Sequence, residues 1–261
     1  MGKYRTWAAC GALAAAISIA GIVADLALRT EPVLTVVGVL IAVTYLFGTF
    51  APNAPLFGRV ARSRQTAASF ALTFDDGPDP RFTPVISSHL ASRGHRATFF
   101  VLGKAAAAHP DVLAKVAADG HEIANHGNDH RLLAFSSPRV IDEQLAVTEA
   151  AIREATGRRP APLFRAPHGV RSPWLMATLR KHGYRLCGWQ GSVFDTSSPG
   201  VDAIVRRVAR ILGPGSVVLL HDGDGSGCAA PRDQTVEAIR GILAAAEERG
   251  LRSVPLSTLV V

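Results

Sequence analysis

The chain has 261 residues, 48% hydrophobic and 19% charged, with a formal net charge of +7. It can bury a full core in one domain and still have apolar sequence left over. The charge does not imply a nucleic-acid partner. Through residue 65, Lys3, Arg5, Arg29, Arg59, Arg62 and Arg64 oppose Asp25 and Glu31, so +4 of the excess lies there and +3 is spread over everything after.

The surplus apolar sequence comes first. Residues 7–24 and 33–51 are uncharged stretches, each near the roughly 18 to 20 residues that cross a bilayer as a helix, and a short polar turn joins them. A two-helix transmembrane hairpin is expected. A cleaved signal peptide would account for the first stretch alone. Basic residues flank the pair on both sides, so the positive-inside rule puts both ends in the cytoplasm. Residues 52–67, rich in Pro, Arg and small side chains, read as a linker.

From residue 68 onward, short β-rich runs alternate with amphipathic ones. Strands are predicted at 70–74, 97–102, 122–125, 163–165, 185–189, 216–221 and 252–255, and helices at 110–118, 138–156, 173–182, 201–212 and 232–249. Several of these helices open with proline, which suits the first helical turn. Repeated β-then-α units imply a parallel sheet with helices outside it. So many units in so short a chain suit a closed or nearly closed barrel, whose site lies at the C-terminal ends of the strands.

Chemically unusual residues gather at those ends. The first strand runs into Thr73-Phe74-Asp75-Asp76-Gly77-Pro78, two adjacent carboxylates at a turn. Successive strand residues face opposite ways, so only a distorted tip lets both acids serve one pocket. The third strand enters Asn125-His126-Gly127-Asn128-Asp129-His130, with imidazoles four apart that a helical turn would put on one side. Two histidines and a carboxylate form a ligand set for a catalytic zinc with open positions. The fourth strand delivers Arg165-Ala166-Pro167-His168-Gly169, the fifth Trp189 and Asp195, and the sixth Leu219-Leu220-His221-Asp222. An arginine there can hold a carboxylate, and His221 can donate a proton. The cysteines, Cys10, Cys187 and Cys228, cannot all pair and lack metal-ligand spacing.

The order of these motifs resembles the carbohydrate esterase family 4 polysaccharide deacetylases, or NodB-homology domains, over about residues 68–261. The resemblance implies a distorted (β/α)7-8 barrel, with residues 1–51 as membrane anchor, 52–67 as linker and 68–261 as catalytic domain. It implies that Asp76, His126 and His130 bind a divalent metal, usually zinc. Asp75 would activate the attacking water, His221 would protonate the leaving amine with Asp195 tuning it, and Arg165 would orient Asp75. A backbone N–H in the loop 165–169 would help stabilise the oxyanion, while Trp189 and Leu219 line the acetyl pocket and His168 forms part of the groove wall. The implied partner is an N-acetylated glycan or glycolipid, met by an enzyme held at a membrane and with no role for nucleic acid.

Three positions depart from the family pattern. Gly127 stands where Ser or Thr is usual, His168 replaces an aromatic residue after proline, and Thr196 stands where tryptophan is common. They point to a substrate other than a long polymer. Competing readings are a deacylase of lipid-linked or nucleotide-linked amino sugars, a catalytically silent glycan-binding protein, and a metal phosphoesterase. The last commonly needs two metals and more carboxylates.

Overall fold

The computed structural model describes residues 32–51, 53–58, 60–61, 68–191, 193–225 and 230–260. The chain divides into two compact units, Met1–Gly48 and Thr49–Val261. In the first, the described part belongs to a helix, Pro32–Phe50, that exposes Leu34, Leu40, Ile41 and Phe47. Among the described residues no helix is long and apolar enough to cross a membrane. The second half of the expected transmembrane hairpin is therefore not borne out, and its first half, 7–24, lies outside the described residues.

Among its described residues the second unit has eight strands: β1 (Val60–Ala61), β2 (Ser69–Asp75), β3 (Ala97–Val101), β4 (Glu122–Asn125), β5 (Leu163–Phe164), β6 (Arg185–Cys187), β7 (Val217–His221) and β8 (Arg252–Ser253). They form one parallel sheet in the order β1-β6-β5-β4-β3-β2-β7, with β8 beside β2. Within the segment expected as linker, 52–67, β1 pairs with β6.

Strand parity sorts the core. Phe70, Leu72 and Phe74 of β2 join Phe99, Val101, Val218 and Leu220 in the layer under the helices. Ala71 faces the other way, into a cluster with Phe100, Ala124 and Leu163. Thr73 and Asp75 share the parity of Ala71, so the last strand residue turns its carboxylate inward. Both faces are buried, as expected for a parallel sheet covered by its crossover helices.

The helices follow their caps. Pro138–Thr156 starts with proline after Ser137, whose side chain accepts from Val140 N–H, and ends at Gly157 in a left-handed conformation (φ 68°). Pro173–Lys181 repeats the entry with Ser172 accepting from Leu175 N–H. Such caps satisfy backbone donors that the first turn leaves unpaired. Two helices carry no strong sequence signal, Thr83–Ser92 and Gly103–Ala108.

The sheet curls without closing into the expected barrel. Among the described residues β1 and β7 end the path. The gap beside β7 is spanned by Gln190, whose N–H donates to Val217 O (3.0 Å) and whose Oε1 accepts from Val217 N–H (2.5 Å). A single residue thus satisfies strand-edge groups that another strand would have paired. The strand expected to reach 189 stops at Cys187, and the freed segment after it reaches the site.

Candidate active site

Asp75 and Asp76 converge because the chain breaks between them. Asp75 is the last residue of β2, and Asp76 takes φ +75°. That left-handed backbone is uncommon outside glycine and asparagine-like residues, and here it swings the second carboxylate back over the strand end. Register places Asp75 opposite Phe100 on one side and His221 on the other.

The histidine pair is not helical. After β4, His126 is followed by an irregular loop in which Gly127 (φ 82°) and His130 (φ 59°) are left-handed. That path, rather than a helical turn, brings both rings to the same carboxylate. Asp76 Oδ1 lies 3.3 Å from His126 Nε2 and 3.1 Å from His130 Nε2. Asp76 Oδ1 is also buried without a directed hydrogen bond. One ligand atom from each of the three residues falls within 4.8 Å of the others. His126 Nδ1 donates to Arg165 O at 2.8 Å, which leaves Nε2 as the unprotonated ring atom facing Asp76. An orphaned carboxylate oxygen beside two imidazole nitrogens fits a divalent cation, and two histidines with one carboxylate match catalytic zinc sites.

The electrostatics agree. Burial works against ionised Asp76, but the imidazoles around it outweigh that and hold its pKa well below the usual carboxylate range. Burial is the main cause that drives His130 down to about 4, so it is neutral and able to ligate. Burial also opposes a charge on His126, yet the facing Asp75 and Asp76 raise its pKa overall. A cation bound there would take the place of the proton that these carboxylates draw to His126. Asp129, the motif's other carboxylate, is engaged by Arg131 Nε at 2.8 Å.

Arg165 lies behind Asp75, fully buried. Its Nη1 donates to Asp75 Oδ1 and to Thr73 Oγ1, each at 2.8 Å, and its Nη2 donates to Gly188 O at 3.2 Å. The guanidinium lies 4.2 Å from the Phe100 ring centroid. On the far side His221 Nδ1 lies 2.9 Å from Asp195 Oδ1, and Asp195 Oδ2 accepts from His221 N–H (2.8 Å) and Thr235 Oγ1 (3.0 Å). Burial disfavours the imidazolium, but Asp195 outweighs it and pushes His221 up to about 9.

A cavity of about 320 Å³ joins these groups. Asp75, Asp76, His126, His130 and His221 line it together with Trp189, Leu219, His168 and Asp195, so every expected site residue reaches it except Arg165, which supports it from behind. His168 is exposed, and its Nε2 donates to His130 O at 3.1 Å.

Sequence reasoning missed three supports. Gln144 Oε1 accepts from Asn128 N–H at 2.8 Å, and Asn125 Oδ1 accepts from Gly127 N–H at 2.8 Å. These amides hold the histidine loop where the family pattern has the hydroxyl that Gly127 lacks. Thr235 anchors Asp195. A signal existed for Gln144, a polar residue among Ile141, Leu145 and Ile152 on the buried stripe of its helix. A buried amide needs partners.

A family model described as polysaccharide deacetylase matches residues 62–187. A chitooligosaccharide deacetylase of Sinorhizobium fredii is 39% identical over 203 residues, covering 75% of this chain and 94% of that protein. A peptidoglycan-N-acetylglucosamine deacetylase of Bacillus cereus is 34% identical over 192 residues, covering 73% and 87%. Among solved structures, a family 4 carbohydrate esterase from Streptomyces lividans in complex with acetate superposes with a TM-score of 0.66 at 31% identity, covering 74% of this chain and 96% of that one. The curled parallel sheet and the Asp-His-His cluster define a metal-dependent hydrolase. The chain belongs to the polysaccharide deacetylase family, among whose members are deacetylases of chitooligosaccharides and of peptidoglycan N-acetylglucosamine.

Proposed function

We propose that this chain deacetylates N-acetylglucosamine units in short oligosaccharides, with Asp76, His126 and His130 holding one zinc ion. The observation that carries the reading is the pair of buried acid–base couples, Asp75–Arg165 and Asp195–His221, on the one cavity that also holds the Asp-His-His cluster. A bound cation there would polarise the amide carbonyl and make water more acidic.

Asp75, fixed by Arg165, takes the proton from the attacking water. His221, charged through Asp195, gives a proton to the departing amine nitrogen. Trp189 and Leu219 enclose the acetyl methyl. For the oxyanion, Arg165 N–H is spent on Asn125 O and Gly169 N–H on Ala166 O. Pro167 has none, so Ala166 and His168 remain as donors in that loop. The deciding experiment measures acetate release from N-acetylglucosamine oligomers before and after chelation and zinc return. Zinc content is read in parallel, and one zinc per chain with restored release supports the reading.

A membrane location belongs to the same proposal. The exposed apolar side chains of Pro32–Phe50 suit lipid contact, and cell fractionation tests it. A reporter fused after the C-terminus then reads the face. Activity only inside the cell would turn the substrate toward lipid-linked or nucleotide-linked amino sugars.

A further inference from the structure

Five described residues other than glycine have positive φ: Asp76, His130, His168, Phe194 and Ser198. Four of them line the catalytic cavity, and Phe194 is the one with no part in the cation cluster, its neighbouring loop or the proton-transfer couples. Phe194 sits at φ 53°, ψ 39° and is 63% exposed. A left-handed backbone costs a non-glycine residue about 1–2 kcal/mol, and an exposed phenyl ring gains little from burial in return. Strain of this kind persists only where the surroundings over-determine it, and it clusters at functional sites.

The surroundings do over-determine it. On one side Val193 is buried and its carbonyl accepts from Arg207 Nη1 at 2.8 Å. On the other Asp195 is buried and bound to His221 and Thr235. Phe194 O itself accepts from Ser197 Oγ at 2.7 Å and from Ser197 N–H at 3.2 Å. Both neighbours are fixed inward, so the ring between them is held outward at the cavity rim. Two residues on, the exposed Thr196 offers no aromatic surface.

We propose that Phe194 is the aromatic platform on which a pyranose ring of the substrate stacks, a specificity-determining residue displaced by two positions from Thr196. A rigid ring on a locked loop presents its π-face to the C–H face of a sugar at small entropic cost. The inference rests on the deacetylase reading above.

The test compares the full chain with Phe194→Ala and Phe194→Tyr on two substrates, an N-acetylglucosamine oligomer and 4-nitrophenyl acetate, which has no sugar. Phe194→Ala is expected to raise KM for the oligomer about fivefold, with kcat changed less than about twofold, since stacking is worth about 1 kcal/mol. The ester KM and the melting temperature should stay as they were, and Phe194→Tyr should restore the oligomer KM. An unchanged oligomer KM, or an equal rise for both substrates, overturns the proposal. If the unaltered chain releases no acetate, the deacetylase reading fails. Calorimetric binding of the same oligomer then decides the platform, with an equal Kd for the unaltered chain and Phe194→Ala overturning it.

Discussion

Asp195 holds His221 at two points, its Oδ1 lying 2.9 Å from the ring Nδ1 and its Oδ2 accepting the backbone N–H at 2.8 Å. One carboxylate therefore fixes the imidazole's position, its tautomer and its charge. The nitrogen left over for the proposed proton donation is Nε2, and His221 lines the cavity.

Activity should accordingly fall as pH rises through about 9, the value to which Asp195 lifts His221 against its burial. Asp195→Asn removes the countercharge, so the alkaline limb should move toward lower pH and kcat/KM should drop by about 10²-fold or more. A pH profile of kcat/KM checks both. The same raised pKa has a stability consequence. The ion pair contributes fully below the ordinary histidine pKa, and its contribution is lost as pH rises through about 9.

The two adjacent acids should separate by metal content. Asp75→Asn is expected to abolish acetate release while keeping zinc, whereas Asp76→Ala and His126→Ala should lose the metal. Elemental analysis of the purified variants reads this directly. Zinc loss in Asp75→Asn would reverse the two assignments.

Arg165→Ala should destabilise the fold as well as the site. Asp75 would be left buried with its ion-pair partner removed, an arrangement that costs about 3–5 kcal/mol. Denaturant unfolding of the variant against the unaltered chain measures it.

Gln144→Ala tests the support of the histidine loop. The half-buried Asn128 N–H would lose its acceptor, which costs about 1 kcal/mol, the low end for an unsatisfied donor. Zinc affinity should weaken by about 10-fold or more as the loop loosens, measured by competition with a chromophoric chelator.

Two buried histidines far from the cavity make the fold acid-sensitive. His95 Nδ1 accepts from Ser253 N–H (3.0 Å) and His121 Nδ1 accepts from Ala97 N–H (3.1 Å), so each is held neutral. Burial, the largest cause, lowers both pKa values, against the pull of Glu247 on His95 and of the Ser87 carbonyl on His121. The unfolded chain then takes up protons first as pH falls below about 6.5, and stability drops. Melting temperatures between pH 7 and 5 should show the fall. His121→Asn, which keeps an acceptor for Ala97, should flatten it.

Much of this was legible along the chain. The helices Pro110–Ala118 and Pro138–Thr156 and the strand Glu122–Asn125 fall where their periodicity and prolines placed them, because those signals act within a few residues. The residues proposed as ligands and proton-transfer groups were visible for a related reason: parallel β/α units deliver strand ends to one face, so chemistry written after each strand must meet there. Periodicity could not foresee that the sheet would stay open with Gln190 bridging the gap. Nor could it see that the imidazoles would converge through left-handed loop residues, or that Gln144 and Thr235 would support them from distant helices. Backbone path in irregular segments depends on partners remote in sequence, and those partners exist only once the chain has folded. The sequence by itself determined which groups are available for the proposed chemistry. The tertiary structure decided how Asp75 and Asp76 face one cavity and why Phe194 points into solvent beside them.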